Sequence, residues 1–161
     1  MISTLRRVAE RFGFVIHARG HCDIPCGIYD TGPAIYHAAS VLRLIDQFNE
    51  AGNDDFLKRS RLVADKENQA EKVKHEVRVI WGDYFKSQHI EAHPEIHDLT
   101  HAIMQQASKC KQGASREDGV TLVELLNSFA EIFWQTKGVQ TARGTSPYEP
   151  KISVVYPVLS D

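Results

Sequence analysis

Between residues 33 and 137 the apolar side chains return at steps of three and four in four successive segments. That periodicity constrains the fold more than any other feature of the chain, because it marks one buried stripe per helix. Ile35, Ala38, Leu42, Ile45 and Phe48 form the first stripe, which Gly52 ends. Asn53-Asp54-Asp55 can cap a second, long helix running to about Phe85, with Val63, Ala70, Val73, Val77, Ile80 and Tyr84 on one face. Pro94 suits the first position of a third helix through Leu99, Ile103 and Ala107. Thr121 and Glu124 have capping-box spacing for a fourth, with Leu122, Leu125, Leu126, Phe129 and Phe133 on its face and Gly138 at its end. Four amphipathic helices with short connections predict an all-α, up-down four-helix bundle over residues 33–137.

The two ends differ from this core. Residues 21–32 are broken by Pro25, Gly27 and Gly32 and read as a structured loop. Residues 138–161 hold Pro147, Pro150 and Pro157 and a β-prone run Ile152-Ser153-Val154-Val155. They do not continue the bundle, and no alternating strand is predicted before residue 150. Residues 1–20 carry Arg6, Arg7, Arg11 and Arg19 against Glu10 alone. Their longest apolar run, Phe12 to Ile16, is too short for a secretory signal, whose apolar region spans about 7–15 residues. An arginine-rich organelle presequence stays open. No apolar stretch approaches the roughly 20 residues that cross a bilayer. With 161 residues and a formal net charge of −2, one globular domain without a nucleic-acid surface is expected.

The chemistry-bearing feature is Cys22-x-x-x-Cys26 in the N-terminal loop. The third cysteine, Cys110, reads as a buried helix residue. Two thiolates on a tight proline-containing loop can face one point. Soft sulfur donors favour copper(I), zinc, iron–sulfur or, with nitrogen donors, nickel. The spacing is not that of a zinc finger, a thioredoxin-like pair or a haem attachment site. On spacing alone, two free or disulfide-linked cysteines remain the other reading.

The longer string His21-Cys22-Asp23-Ile24-Pro25-Cys26-Gly27-Ile28-Tyr29-Asp30 resembles the metal-binding hook of nickel superoxide dismutases. Two further blocks agree in order: Trp81-Gly82-Asp83-Tyr84-Phe85-Lys86 with His89 and Pro94-Glu95-Ile96-His97, then Ile132-Phe133-Trp134-Gln135-Thr136-Lys137. The resemblance implies an N-terminal nickel hook at 21–32 on a four-helix bundle, with residues 1–20 a leader removed by a processing protease between Gly20 and His21. It implies a planar site of the Cys22 and Cys26 sulfurs, the His21 amine and the Cys22 amide, with the His21 imidazole as axial ligand. It implies one nickel ion per subunit, a homohexamer, and antioxidant disproportionation of superoxide by a Ni(II)/Ni(III) couple in the cytoplasm. Tyr29 and Tyr84 match the family's access tyrosines and Lys86 matches a lysine near its site. Asp23 and His37 would stand around the ligands.

The match departs at one place. Where the family's axial histidine is held by a glutamate paired to an arginine, this chain has His37 and Gln69. A histidine can hydrogen-bond to His21 but brings no fixed negative charge. His89, His93, His97 and His101 recur every fourth residue, a spacing also found in some zinc sites. The competing expectation is a non-enzymatic helical metal-binding or metal-delivery protein using Cys22, Cys26 and these histidines. What separates the two is His21 directly before Cys22 behind a removable leader.

Overall fold

The computed structural model describes residues 27–159. Among these, helix α1 runs Gly32–Glu50, α2 Phe56–Val79, α3 Ser87–Ala92, α4 Ile96–Gln112 and α5 Arg116–Thr136, and a hairpin of β1 Thr141–Thr145 and β2 Ser153–Pro157 follows. The long helices α1, α2, α4 and α5 form the predicted four-helix bundle: α1 packs on α2 and α5, and α4 on the same two. No helix among the described residues is long and apolar enough to cross a membrane.

Each helix buries its expected stripe. Ile35, Ala38, Leu42 and Ile45 of α1 meet Leu122, Leu126, Phe129 and Phe133 of α5, all essentially solvent-free. Burying each of these larger side chains contributes roughly 2 kcal/mol before chain entropy is counted. The closest approach lies at Gly119. A Cβ there would stand 2.9 Å from Leu42 Cδ1 and 3.3 Å from Leu42 Cα, so only glycine lets α5 come this near α1.

The helix ends depart from expectation in three places. The second helix does not run unbroken to Phe85. It gives way at Ile80–Tyr84 to a π-helical turn, and the Phe85 N–H reaches back to the Ile80 carbonyl at 3.3 Å. The extra residue per turn is invisible to apolar spacing. Pro94 does not open the third long helix: it lies in a turn before Glu95, and α4 starts at Ile96. The box at Thr121 and Glu124 is not a helix start either. Ser115 caps α5, its Oγ accepting the Asp118 N–H at 3.4 Å, and Thr121 sits inside the helix. Glu117 and Asp118 in the first turn complement the positive helix end, which moves the start upstream of the apolar stripe. The Asp55 cap is as expected, its carboxylate accepting from Lys58 N–H at 3.2 Å. Gly138 ends the bundle with φ +70°.

The C-terminal tail also departs from expectation. A strand exists before residue 150, at Thr141–Thr145, paired antiparallel to β2 with Thr145 opposite Ser153. Its sequence, Thr-Ala-Arg-Gly-Thr, carries no apolar alternation because the strand lies on the outside. Its place is fixed from α5. The fully buried Asn127 donates to the Ser153 carbonyl (3.0 Å) and accepts from Val155 N–H (3.0 Å), so its amide acts as a rung of the sheet. Arg143 bonds Glu131 at 2.9 Å and Glu124 at 2.8 Å, and Val154 and Val155 enter the core.

Candidate metal centre

Gly20, His21, Cys22, Asp23 and Cys26, the ligand set and cleavage position read from the sequence, lie outside the described residues. The residues that follow this segment in the chain are described. Gly27 follows Cys26 with φ +93°, a left-handed conformation that side chains disfavour. Ile28 is largely exposed. The chain then turns inward: Asp30 Oδ1 accepts from Gly32 N–H at 2.7 Å, and the buried Thr31 caps α1. Thr31 Oγ1 accepts the indole N–H of Trp134 at 3.1 Å. One buried bond thus ties the segment after Cys26 to the end of α5.

Tyr29 and Tyr84 come together. Tyr29 is buried and its ring lies 5.6 Å from that of Tyr84 at 54°. The π-helical turn carries Tyr84, and such turns re-aim the side chains that follow. Tyr84 is held on every side. Its ring stacks on His89 (5.1 Å, 16°) and packs against Phe133 (4.8 Å) and Phe85 (5.3 Å). Its oxygen lies 2.8 Å from Thr136 Oγ1, which in turn donates to the Phe133 carbonyl at 2.7 Å. Thr136 spends its only proton there, so Tyr84 donates to Thr136. Lys86 is exposed at the start of α3, where its N–H donates to His89 Nδ1 at 3.3 Å. That bond helps hold the His89 ring in its stack against Tyr84.

Sequence reasoning passed over Lys137, whose ammonium stands 4.8 Å from the Tyr84 ring centre and 5.2 Å from that of Phe133. It lies one helical turn beyond Phe133, where a cation also favours the negative helix end. That spacing was the available signal. Thr31 and Trp134 were passed over too, and 103 residues of separation leave no local signal.

His37 and Gln69 form a pair, with His37 Nδ1 2.6 Å from Gln69 Oε1. Both are half-buried, on α1 and α2. A carbonyl oxygen can only accept, so His37 donates from Nδ1 and its neutral ring keeps an acceptor at Nε2. The pair is uncharged when His37 is neutral, where glutamate and arginine would form an ion pair.

The four spaced histidines do not converge. His89 belongs to the Tyr84 stack, His97 Nδ1 accepts from the Trp81 indole at 3.0 Å, His93 lies 3.5 Å from Glu95, and His101 lies beside Gln105. Among the described residues no three His, Cys, Asp or Glu side chains come close enough to hold a metal ion. Cys110 is buried in α4, and burial pushes its thiol up to about 11.

The sequence model of the family described as nickel-containing superoxide dismutase matches residues 16–137. The chain is 38% identical over 130 residues to the superoxide dismutase [Ni] of Streptomyces coelicolor, covering 81% of this chain and 98% of that one. Against the superoxide dismutase [Ni] of Streptomyces seoulensis the identity is 35% over the same length. The native 1.30 Å structure of a nickel superoxide dismutase superposes with a TM-score of 0.68 and 38% identity, over 73% of this chain and 99% of that one. A crystal structure of a Ni-containing superoxide dismutase in a partially reduced state gives 0.69 and 36%. The family match stops at residue 137, so β1 and β2 lie beyond it.

Proposed function

Because the chain belongs to the nickel-containing superoxide dismutase family, and is a nickel-dependent superoxide dismutase, we propose that His21, Cys22 and Cys26 hold its nickel and that cleavage after Gly20 completes the site. The observation that carries this is the string His21 to Cys26 lying inside the family match, directly ahead in sequence of the segment that carries Tyr29 into its contact with Tyr84. The donor chemistry fits the ion: two thiolates with nitrogen donors make a strong planar field that suits nickel(II).

When bound, nickel supplies the one-electron couple that lets one superoxide leave as dioxygen and a second, with two protons, leave as hydrogen peroxide. The chain's own groups do the rest. Cys22 and Cys26 bind as thiolates, and the His21 amine exists as a donor only once the Gly20–His21 amide is cut. His37, whose Nδ1 faces Gln69 Oε1, is assigned the role of orienting the His21 ring. Tyr29 and Tyr84 wall the approach with packed rings, and the Tyr84 proton is kept on Thr136. Lys86 and Lys137 supply local positive charge for an anionic substrate. Without residues 1–20, which carry +3, the remainder is about −5, so steering must come from such local groups.

We assign residues 1–20 as a processed leader, 21–32 as the hook and 33–137 as the catalytic bundle, working in the cytoplasm, where thiols stay reduced until metal binds. A homohexamer is supported by the exposed Ile28, Tyr36 and Trp81, which a neighbouring copy would cover. The test compares the chain before and after cleavage at Gly20, each given nickel, by intact mass, nickel content and dismutase rate. The cut form is expected to bind one nickel ion and turn over, and the uncut form to lack activity. Equal rates in both forms would remove the amine ligand from the scheme.

A further inference from the structure

We propose that the groove between α2 and the end of α4 binds a small organic anion with an apolar tail, of the medium-chain carboxylate class. The groove is remote from the Tyr29–Tyr84 cluster. At a helical rise of roughly 1.5 Å per residue, Lys66 on its floor stands about 27 Å before Tyr84.

The groove exists because α4 stops at Gln112 while the first turns of α2 run on past that end. The space left is about 570 Å³, the size of a small-molecule pocket. Its two ends differ. Val63 lines it where α2 begins, together with Phe48 from the last turn of α1. A smaller hollow shares these two side chains and adds the exposed Phe56, so the apolar surface continues outward. Farther along α2 stands Lys74, facing Ser108 and Lys111 of α4.

The charge in this groove is unbalanced. Lys66 is buried and spends its three N–H groups on the carbonyls of Cys110, Lys111 and Gly113. Those carbonyls satisfy its hydrogen bonds but not its charge, since a helix C-terminus carries only about half a negative charge. Burial disfavours the ammonium, and nearby Glu67 offsets only part of that. Lys74 donates to Ser108 Oγ at 2.8 Å, and Ser108 gives its own proton to the Met104 carbonyl at 3.0 Å. Lys74 therefore keeps two N–H groups for a ligand. Among the described residues neither Lys66 nor Lys74 forms an ion pair with a carboxylate. Lys111 does, with Glu71 at 3.3 Å, but Arg78 shares that carboxylate at 3.4 Å. A carboxylate between Lys74 and Lys111 gains the field of three ammoniums, in a recess where salt screens less than on an open surface. Its tail then covers Val63 and Phe48 and removes their apolar surface from water. A bare inorganic anion lacks the second gain, and a neutral chain lacks the first.

The experiment titrates the full-length chain with sodium octanoate and follows its backbone and methyl signals by NMR. Saturable shifts centred on Val63, Lys74, Ser108 and Lys111 are expected, with half-saturation below about 1 mM. Lys74→Gln and Lys111→Gln should each weaken binding about tenfold, and Val63→Ser about fivefold. Lys66 is left intact, because removing it would unpair three carbonyls and test folding instead. Octanol, octylammonium and inorganic phosphate are titrated beside octanoate, and each is expected to bind at least tenfold more weakly. Octanol binding as well as octanoate would show a merely apolar hollow, and phosphate binding as well would show a merely cationic one. Either result overturns the proposal. So does octylammonium binding as well as octanoate, an octanoate affinity that both lysine variants leave unchanged, or the absence of saturable shifts.

Discussion

At the scale of single residues, the centre divides into groups that bind and groups that guide. Cys22→Ser and Cys26→Ser are each expected to abolish turnover, because a serine hydroxyl is a hard, weakly acidic donor that cannot replace a thiolate. His21→Gln keeps an amine at the new N-terminus and should retain nickel while turning over more slowly. Nickel content beside dismutase rate separates these outcomes, and full activity in either serine variant would overturn the hook. For Lys137 we propose a guiding role instead. Lys137→Glu reverses a charge at the Tyr84 ring and should lower kcat/KM about tenfold at low salt, with the deficit shrinking as salt is added. A deficit independent of salt would show that Lys137 acts through packing alone. The family was legible because the residues of the string His21 to Cys26 are adjacent in sequence and few other proteins use that string. The His37–Gln69 contact was legible only as a coincident change at two positions 32 residues apart. Lys137 and Thr31 were not, because their partners come from other turns or the far end of the chain.

Among the elements, the apolar stripes gave the four long helices, since a stripe records which face is buried. The boundaries were less legible. A π-helical turn, a proline placed just ahead of a helix, and a serine cap upstream of the stripe are settled by local backbone bonds that periodicity does not encode. The hairpin was least legible: β1 is polar, and its pairing is dictated by Asn127 on another element. The end of α4 shows how two helices are clamped. The buried Lys66 of α2 donates to the carbonyls of Cys110, Lys111 and Gly113, which a helix end leaves unpaired. Burial lowers the Lys66 ammonium below its ordinary range and raises the neighbouring Cys110 thiol to about 11. The thiol gives a clear pH signature. Above the ordinary thiol value of 9.0 the unfolded chain loses the proton while the folded chain keeps it, so folding stability falls as pH rises toward about 11. The stability difference between the unaltered chain and Cys110→Ala is therefore expected to shift against the unaltered chain across that window, by about 2 kcal/mol. Denaturant titrations at the two ends of the window measure it, and a pH-independent difference would show that the thiol titrates alike in both states.

For the whole molecule, the expectation is assembly. The proposed hook is short, and Ile28 just after it is exposed, so on that reading a neighbouring copy would cover the site. Sedimentation of the cut, nickel-loaded protein should give a hexamer, and a stable monomer would count against that arrangement. The bond between Thr31 and Trp134 carries a different consequence, one of timing. During synthesis the proposed hook emerges early, directly behind residues 1–20, while Trp134, which anchors the segment following it, is made more than a hundred residues later. Until α5 is complete, nothing on that end of the bundle can seat Thr31, Tyr29 or the Tyr84 cluster. On the proposed hook, the early thiols would leave the ribosome before the end of the bundle next to them in sequence is anchored, and metal loading would wait on the last helix to be translated.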